Sequence, residues 1–501
     1  MNDHAPAGAA APPAPEEMRA AFLRVFPGVM FAMFLAAIDQ TILASAMPAI
    51  VASLGGFADL SWIVTGYLLA ATVAAPFYGH IGDRFGRRAT LLVALAIFTL
   101  ASLGCALAPT LWALILARVA QGLGGGGLMT LSQALIGENV PPRERIRFQG
   151  YIAAVFATSS TLGPLLGAYL TEYLSWRAVF FINLPLGIVA ALLAMRIPLH
   201  PPHPRGTFRA DVPGALLFAT GVLSLLFALS SAGGRFGWSD WRLYAALAFA
   251  LVCLAVLIAW ERRASDPLIP VRLLASPVIW RSNIVVACFA AALFGSVLYL
   301  PLYLQLGRGF GIGESGLLLL PITLSIAASA ALTGRRIART GKLTAYPKLG
   351  LAVATIAFVA LAASVAAAPI SVVLALTMLA GIGLGTTMPP TQVIVQTAGG
   401  RASLGSAVAS ISVSRSIGGA VGVALIGAVL FGVVGRNDAP LASILPQIAE
   451  SGGRFLATLP AVQRDAIAAH LDGAFRIVFG VLAVFTCVGA YAASKVPAQR
   501  L

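Results

Sequence analysis

An aspartate stands near the middle of an almost wholly apolar run, "FAMFLAAIDQTILASAMPAI", from Phe31 to Ile50. A charged carboxylate is costly in a low-dielectric interior, so Asp39 must pair with a cation or take up a proton. Arg118 stands in a second apolar run, within "RVAQG", and Arg415 in a third, within "SISVSRSIGG". Asp83 lies among arginines in "GDRFGRR". The chemistry open to these residues is the loading and release of a proton or an ion, without bond making. Neither a nucleophile–base arrangement nor a metal-ligand spacing is visible, and the few histidines are scattered. A Walker-type phosphate loop is also missing, so the sequence shows no ATP-driven motor. These features argue against an enzyme, a metal site and a bound cofactor; a proton gradient is the expected energy source.

The elements that hold these residues follow from composition. Of 501 residues, 59% are hydrophobic and 10% charged, whereas a soluble domain carries about 25% charged residues. Apolar runs long enough to cross a bilayer recur from end to end. Persistent period-two alternation, the mark of barrel strands, is not seen. The expected fold is an all-α polytopic membrane protein. Fourteen spans are predicted, at about 26–48, 59–79, 89–108, 110–136, 149–171, 178–197, 213–233, 241–261, 282–305, 313–333, 346–367, 369–390, 405–434 and 473–494. The first run is too long for a cleavable signal, and no small-residue cleavage site follows it.

Basic residues set the orientation. With the N-terminus inside, 23 Lys and Arg fall in cytoplasmic segments and 8 in outer ones. Both termini are therefore expected in the cytoplasm, and the net charge of +15 needs no nucleic-acid partner. Cys105, Cys253, Cys288 and Cys487 all fall within spans and read as small apolar residues. The Ala/Pro-rich residues 1–25 are expected to be disordered, and 495–501 to form a cytoplasmic tail. The longest outer loop, about 435–472, leads into "LATLPAVQRDAIAAHLDGAFRIVF", which reads as an amphipathic surface helix or a plain connector.

The chain also repeats itself. At an offset of 255, Gly79, Arg84, Gly86 and Arg87 meet Gly334, Arg339, Gly341 and Lys342. At the same offset Gly150, Ala154, Gly163 and Gly167 meet Gly405, Ala409, Gly418 and Gly422. At 259, Gly122, Gly124, Gly126, Met129 and Gln133 meet Gly381, Gly383, Gly385, Met388 and Gln392. Two parallel six-helix halves follow, 26–197 and 266–494, with a linker and two inserted helices at 198–265. Such halves place a substrate site between them near mid-membrane.

The motifs resemble those of the major facilitator superfamily. "GHIGDRFGRR" resembles its signature between the second and third spans, "RVAQG" its fourth-span signature, and "GPLLG" the fifth-span signature of its antiporters. "LAAIDQTILASAMPAI", "WRAVFFINLPLG" and "RASLGSAVASISVSRSIGGAVG" look like the fourteen-span drug:proton antiporters. The resemblance implies multidrug efflux by proton-coupled antiport, with alternating access, in a bacterial inner membrane, and antibiotic resistance as its outcome. It also allows an envelope-spanning accessory protein as a partner. In the family the cluster of Gly79, Gly82, Asp83, Arg84, Gly86, Arg87 and Arg88 latches the cytoplasmic side. The bend at Gly163, Pro164 and Gly167 gates exchange there, and the fourth-span arginine, here Arg118, serves proton coupling.

Physics supports a version of each role. Asp83 can pair with Arg87 or with a helix N-terminus of the other half. Pro164 removes a backbone hydrogen bond and bends its helix. Asp39 lies about 20 Å from the cytoplasmic end of its span and Arg118 about 12 Å from the outer end of its own. In a core of about 30 Å the two share a depth. A static ion pair is the plain alternative. The sharper expectation is that Asp39 carries the proton under the influence of Arg118. Substrate contacts are expected from Trp62, Tyr67, Gln121, Phe289, Tyr299, Gln392, Gln396 and Arg415, with Phe294 and Tyr303 as further aromatic faces. The tenth span carries no acid, which favours neutral or singly charged compounds over multiply charged cations. Arg415, with Gln392 and Gln396 expected near its depth, keeps export of a specific anionic or neutral metabolite as the alternative. A membrane-embedded sensor is expected to carry a sizeable soluble signalling domain, and only a few residues follow the last predicted span, so a sensor or a scaffold without transport is not the expected class.

Overall fold

The computed structural model describes residues 15–55, 61–140, 142–198, 211–231, 240–264, 267, 271–310, 312–365, 368–400, 403–437 and 461–498. In lipid a chain must satisfy its backbone polar groups within itself, and a helix does so inside one segment. The apolar runs form helices accordingly. The first half holds α1 (Pro15–Leu54), α2 (Ser61–Phe85), α3 (Arg87–Ala106), α4 (Leu111–Asn139), α5 (Pro142–Tyr173), α6 (Ala178–Phe181) and α7 (Asn183–Ala194). The inserted pair is α8 (Val212–Ser231) and α9 (Trp241–Glu261). The second half holds α10 (Val271–Leu274), α11 (Pro277–Leu306), α12 (Ile312–Leu317), α13 (Leu320–Thr340), α14 (Ala345–Ser364), α15 (Ile370–Gly385), α16 (Met388–Gly399), α17 (Leu404–Asn437) and α18 (Ala461–Ser494).

The packing repeats as the sequence does. In the first half α1 packs on α5 and α7, α4 on α2 and α3, and α3 on α7. In the second half α11 packs on α17 and α18, α15 on α13 and α14, and α14 on α18. Helices α1, α2, α3, α4, α5 and α7 thus correspond to α11, α13, α14, α15, α17 and α18. Across the seam α2 meets α17 and α5 meets α13. The inserted α8 lies against α9, α2 and α17.

Twelve helices among the described residues are long and apolar enough to cross a membrane. The expected spans 149–171 and 178–197 fall outside that set. The first lies on α5, a helix of 32 residues, several of whose side chains are not among the described ones. The second is the short apolar stretch Ala178–Ala194, interrupted at Ile182. Three boundaries are corrected. Helix α1 begins at Pro15, so residues 15–25 are helical where disorder was expected, and residues 1–14 lie outside the described set. The expected surface helix is, from Ala461 onward, the start of α18, continuous with the last span; residues 438–460 lie outside the described set. The expected span 369–390 is split after Gly385, where Pro389 and Pro390 open α16.

Close approach explains "QGLGGGG". A Cβ on Gly124 would lie 2.6 Å from the Phe98 N and 2.8 Å from the Ala94 O, both backbone atoms of α3. Neither can turn aside, so α3 and α4 must separate to admit a side chain. Gly124→Val is expected to destabilise the fold by at least the ~1–3 kcal/mol of an overpacked core. Thermal unfolding of the detergent-purified chain checks this; an unchanged midpoint would show that the two helices tolerate separation.

Candidate functional site

Four helices converge on one buried carboxylate. Asp39 projects from the middle of α1, and Arg118 and Gln121 lie one turn apart on α4. Thr110 caps α4, its hydroxyl accepting from the Ala113 N–H at 3.2 Å. Ser102 comes from α3, and the break at Ile182 sets Asn183 at the first position of α7. Arg118 Nη1 donates to Asp39 Oδ2 at 2.6 Å. The other oxygen, Oδ1, accepts from Gln121 Nε2 at 2.9 Å and from Asn183 Nδ2 at 2.7 Å. Gln121 and Asn183 also donate to Ser102 Oγ, at 2.5 and 3.3 Å.

Arg118 is held on every side. Its Nη1 also reaches Gln121 Oε1 at 2.6 Å, and its Nε donates to the Ile63 carbonyl at 3.3 Å. The Tyr67 ring lies 4.4 Å from the guanidinium carbon and the Phe180 ring 5.9 Å. Asp39 and Arg118 are each 1% exposed, and Gln121, Ser102 and Asn183 are wholly buried. The cluster is therefore a neutral, closed unit in this conformation. One acceptor is left over: Asn183 Oδ1 is buried without a hydrogen-bond partner among the described residues. A rotated Asn183 amide would offer that oxygen to a protonated Asp39, so the cluster has a second hydrogen-bonding arrangement suited to the neutral acid.

The depth argument anticipated the pair but not Ser102 or Asn183. Both were readable as lone polar residues in apolar runs, "LASLGCAL" and "FFINLPLG". Gln121, expected on a substrate surface, belongs to the ion-pair cluster instead.

A second cluster joins the two halves. Asp83, at the end of α2, accepts from Arg87 Nη2 at 2.6 Å. The same carboxylate accepts from the Gly405 N–H at 2.9 and 3.1 Å and from the Ser406 N–H at 3.3 Å. Those N–H groups open α17, where the helix dipole favours an anion. Both partners foreseen for Asp83 are thus present at once. Arg87 also pairs with Glu138 of α4 at 3.0 Å. Gly79 and Gly405 let α2 and α17 touch, since a Cβ on Gly79 would lie 2.6 Å from the Gly405 O. Gly82 packs under Leu131, and Gly86, at φ +96°, turns the chain between α2 and α3. Arg84 and Arg88 are half-buried. Other contacts across the seam lie at this same end. Gln396 Nε2 donates to the Gln133 carbonyl at 3.3 Å, and Gly150 faces Ala331.

Asp83→Asn replaces an anion with a neutral amide before these donors. Charge-assisted hydrogen bonds are worth roughly 1.5–3 kcal/mol each. Loss of one shifts an open–closed equilibrium at this end about ten- to a hundredfold toward open. Cysteine labelling from the two membrane sides is expected to report that shift. Unchanged accessibility would reduce the cluster to packing.

On α5, Gly163 and Gly167 press against Thr41, Ser45 and Ile42 of α1. Thr41 Oγ1 donates to the Ser159 carbonyl at 2.8 Å. The helix continues through Pro164. Motif and carboxylate therefore share one helix pair, with Thr41 two residues beyond Asp39.

The remaining expected substrate residues are distributed. Trp62 stacks on Phe227 of α8, centroids 5.7 Å apart. Tyr67 faces Arg118. Phe289, Tyr299 and Tyr303 belong to the core of the second half. Tyr299 and Tyr303 donate to the Val423 and Val365 carbonyls. Gln392 and Gln396 are buried on α16. Gln396 lies three residues from the end of α16, whereas Arg415 lies about 16 Å into α17, so the expected shared depth does not hold for that pair. Arg415 is half-buried, and Phe294 is 44% exposed.

The model of the Major Facilitator Superfamily matches residues 29–423. The chain belongs to that superfamily. Among superfamily relatives, it is 32% identical over 405 residues to the multidrug transporter protein MdtP of Bacillus subtilis, covering 80% of this chain and 74% of that protein. It is 34% identical over 407 residues to the efflux pump dotC of Dothistroma septosporum, covering 79% and 68% of the two chains. The solved human organic anion transporter MFSD10 superposes with a TM-score of 0.65 at 17% identity, covering 96% of this chain and all of the other. That likeness is one of fold. The chain is thus an efflux-type transporter of the superfamily in a multi-pass membrane setting.

Proposed function

We propose that the chain is a proton-coupled antiporter that exports small lipophilic compounds by alternating access, with Asp39 as the proton carrier. The observation that carries this reading is the buried Asp39–Arg118 pair with its spare acceptor on Asn183. A carboxylate held by three donors in one protonation state, with an alternative partner for the other, is suited to cycling a proton. The names of the relatives, a multidrug transporter and an efflux pump, support export of varied small molecules. The seam contacts at the Asp83 end fit an outward-open state with both termini in the cytoplasm. In this reading α5 and the α6–α7 stretch also cross the bilayer, giving fourteen spans around the two halves. The setting is a bacterial inner membrane, where such export confers antibiotic resistance; an envelope-spanning accessory protein is compatible with it.

The test is uptake of a lipophilic dye into inverted proteoliposomes, with and without an imposed pH gradient. Accumulation that collapses with the gradient supports the reading. Gradient-independent equilibration would leave a facilitator without coupling.

A further inference from the structure

Arg415 lies about 16 Å along α17 from Leu404, half-buried, with no ion pair, hydrogen bond or ring contact among the described residues. No Asp or Glu stands between Asp266 and Glu314 or between Glu314 and Asp438. Helices α11 and α13 to α17 therefore hold no acid to neutralise it. Asp472, near the start of the span in α18, sits in the field of Arg308 and Arg476. Asp39 is already taken by Arg118, Gln121 and Asn183. An arginine inside a membrane span calls for an anion or for water.

Its direction follows from the neighbours of α17. Val413, Ile417 and Ala420 pack into the cluster built by α2 and α8. At about 100° per residue, Arg415 points roughly 160–200° away from Val413 and Ile417, away from α2 and the α8–α9 pair and toward the α11 side, where Gly418 and Gly422 pack on Ala287 and Ala291. Gly419 shares its face one turn further on. There the Phe294 ring of α11 crosses the helix, close enough that a Cβ on Gly419 would lie 2.6 Å from Phe294 Cδ2. Phe294 is 44% exposed, so an open aromatic face lies about one helical turn beyond the half-buried guanidinium. Toward the other end, Asp83 on Gly405 and Gln396 on Gln133 close the seam.

We propose that Arg415 and Phe294 anchor an amphipathic aromatic monoanion, its carboxylate or sulfonate on the guanidinium and its ring on Phe294. This rests on the efflux reading and names its substrate class. Guanidinium offers a planar fork that matches such anions, and its strength grows where water is scarce. The Asp39–Arg118 pair contributes no net charge, so Arg415 leaves the interior positive and disfavours cations of the same shape.

Three probes of one shape test this on the full chain in lipid nanodiscs, with protein-free discs subtracted. They are 2-naphthalenesulfonate, neutral 2-naphthalenesulfonamide and trimethyl-2-naphthylammonium. The sulfonate is expected to bind about ten- to a hundredfold more tightly than the other two. Arg415→Gln should erase that preference while keeping sulfonamide binding, which shows the variant is folded; Arg415→Lys should keep most of it. Phe294→Ala should weaken all three probes together. Equal binding of the probes, or an undiminished sulfonate preference in Arg415→Gln, overturns the proposal. Gradient-driven transport separates the two readings. If the sulfonamide and ammonium move and the sulfonate does not, the anion site falls and efflux stands. If the sulfonate binds through Arg415 but no probe moves, the site stands and efflux falls.

Discussion

Asp39→Asn is expected to abolish uphill, gradient-driven transport while leaving exchange of substrate for substrate across the membrane. Asn has nearly the shape of Asp, but it has no proton to cycle. The surrounding geometry says how the variant survives. Arg118 keeps Gln121 Oε1, the Ile63 carbonyl and the Tyr67 ring. The new amide N–H₂ can meet the free Asn183 Oδ1 once that side chain turns. The guanidinium nonetheless loses its counter-ion in a buried site. Removing one partner of a buried pair costs about 3–5 kcal/mol, so reduced thermal stability accompanies the loss of coupling. Reconstituted transport with an imposed pH gradient, beside counterflow without one, checks both halves of the expectation. Full uphill transport by Asp39→Asn would remove Asp39 from the proton path. Loss of counterflow as well would mark the residue as structural.

Much of this was legible from residues alone, for physical reasons that differ by site. Apolar runs and the positive charges beside them expose the spans, because lipid tolerates few alternatives. Depth counting brought Asp39 and Arg118 together, since both sit near mid-span in rigid helices. Asp83 was readable as an anion in search of a donor, and the donor is the start of α17. What escaped depends on assembly. Ser102 and Asn183 join Asp39 only because α3 and α7 pack beside α1 and α4, a relation that no single helix pattern encodes. Gln121 reads as a cavity residue until its neighbours are known. The start of α1 was missed because an Ala/Pro-rich composition resembles disorder, while Glu16, Glu17 and the residues after them continue a helix into the span. The α6–α7 break at Ile182 also escaped, although it sets Asn183 beside Asp39.

The Arg118 substitutions divide a static pair from a working one. Arg118 Nη1 serves Asp39 and Gln121 together, while its Nε reaches the Ile63 carbonyl and its plane covers Tyr67. A lysine ammonium is a single point and cannot hold the Ile63 carbonyl and the Asp39–Gln121 pair from one position; buried, it can also lose its own proton. If the pair were only a tie between α1 and α4, Arg118→Lys would keep a charge opposite Asp39 and keep transport. The expected result is a folded protein with gradient-driven transport lost, because the cation no longer stays fixed while Asp39 changes state. Arg118→Ala alone should express poorly, since it leaves the buried Asp39 carboxylate without a counter-charge, with only the neutral Gln121 and Asn183 amides donating to it, at a cost of about 3–5 kcal/mol. Combining Arg118→Ala with Asp39→Asn removes that stranded charge, so yield and thermal midpoint should recover together. Transport should not recover, because the double variant has neither a proton carrier nor a cation to modulate it. Yield is read on size-exclusion chromatography and coupling on the pH-gradient assay. A double variant that pumps substrate uphill would show that Asp39 and Arg118 hold helices and that the coupling carboxylate lies elsewhere.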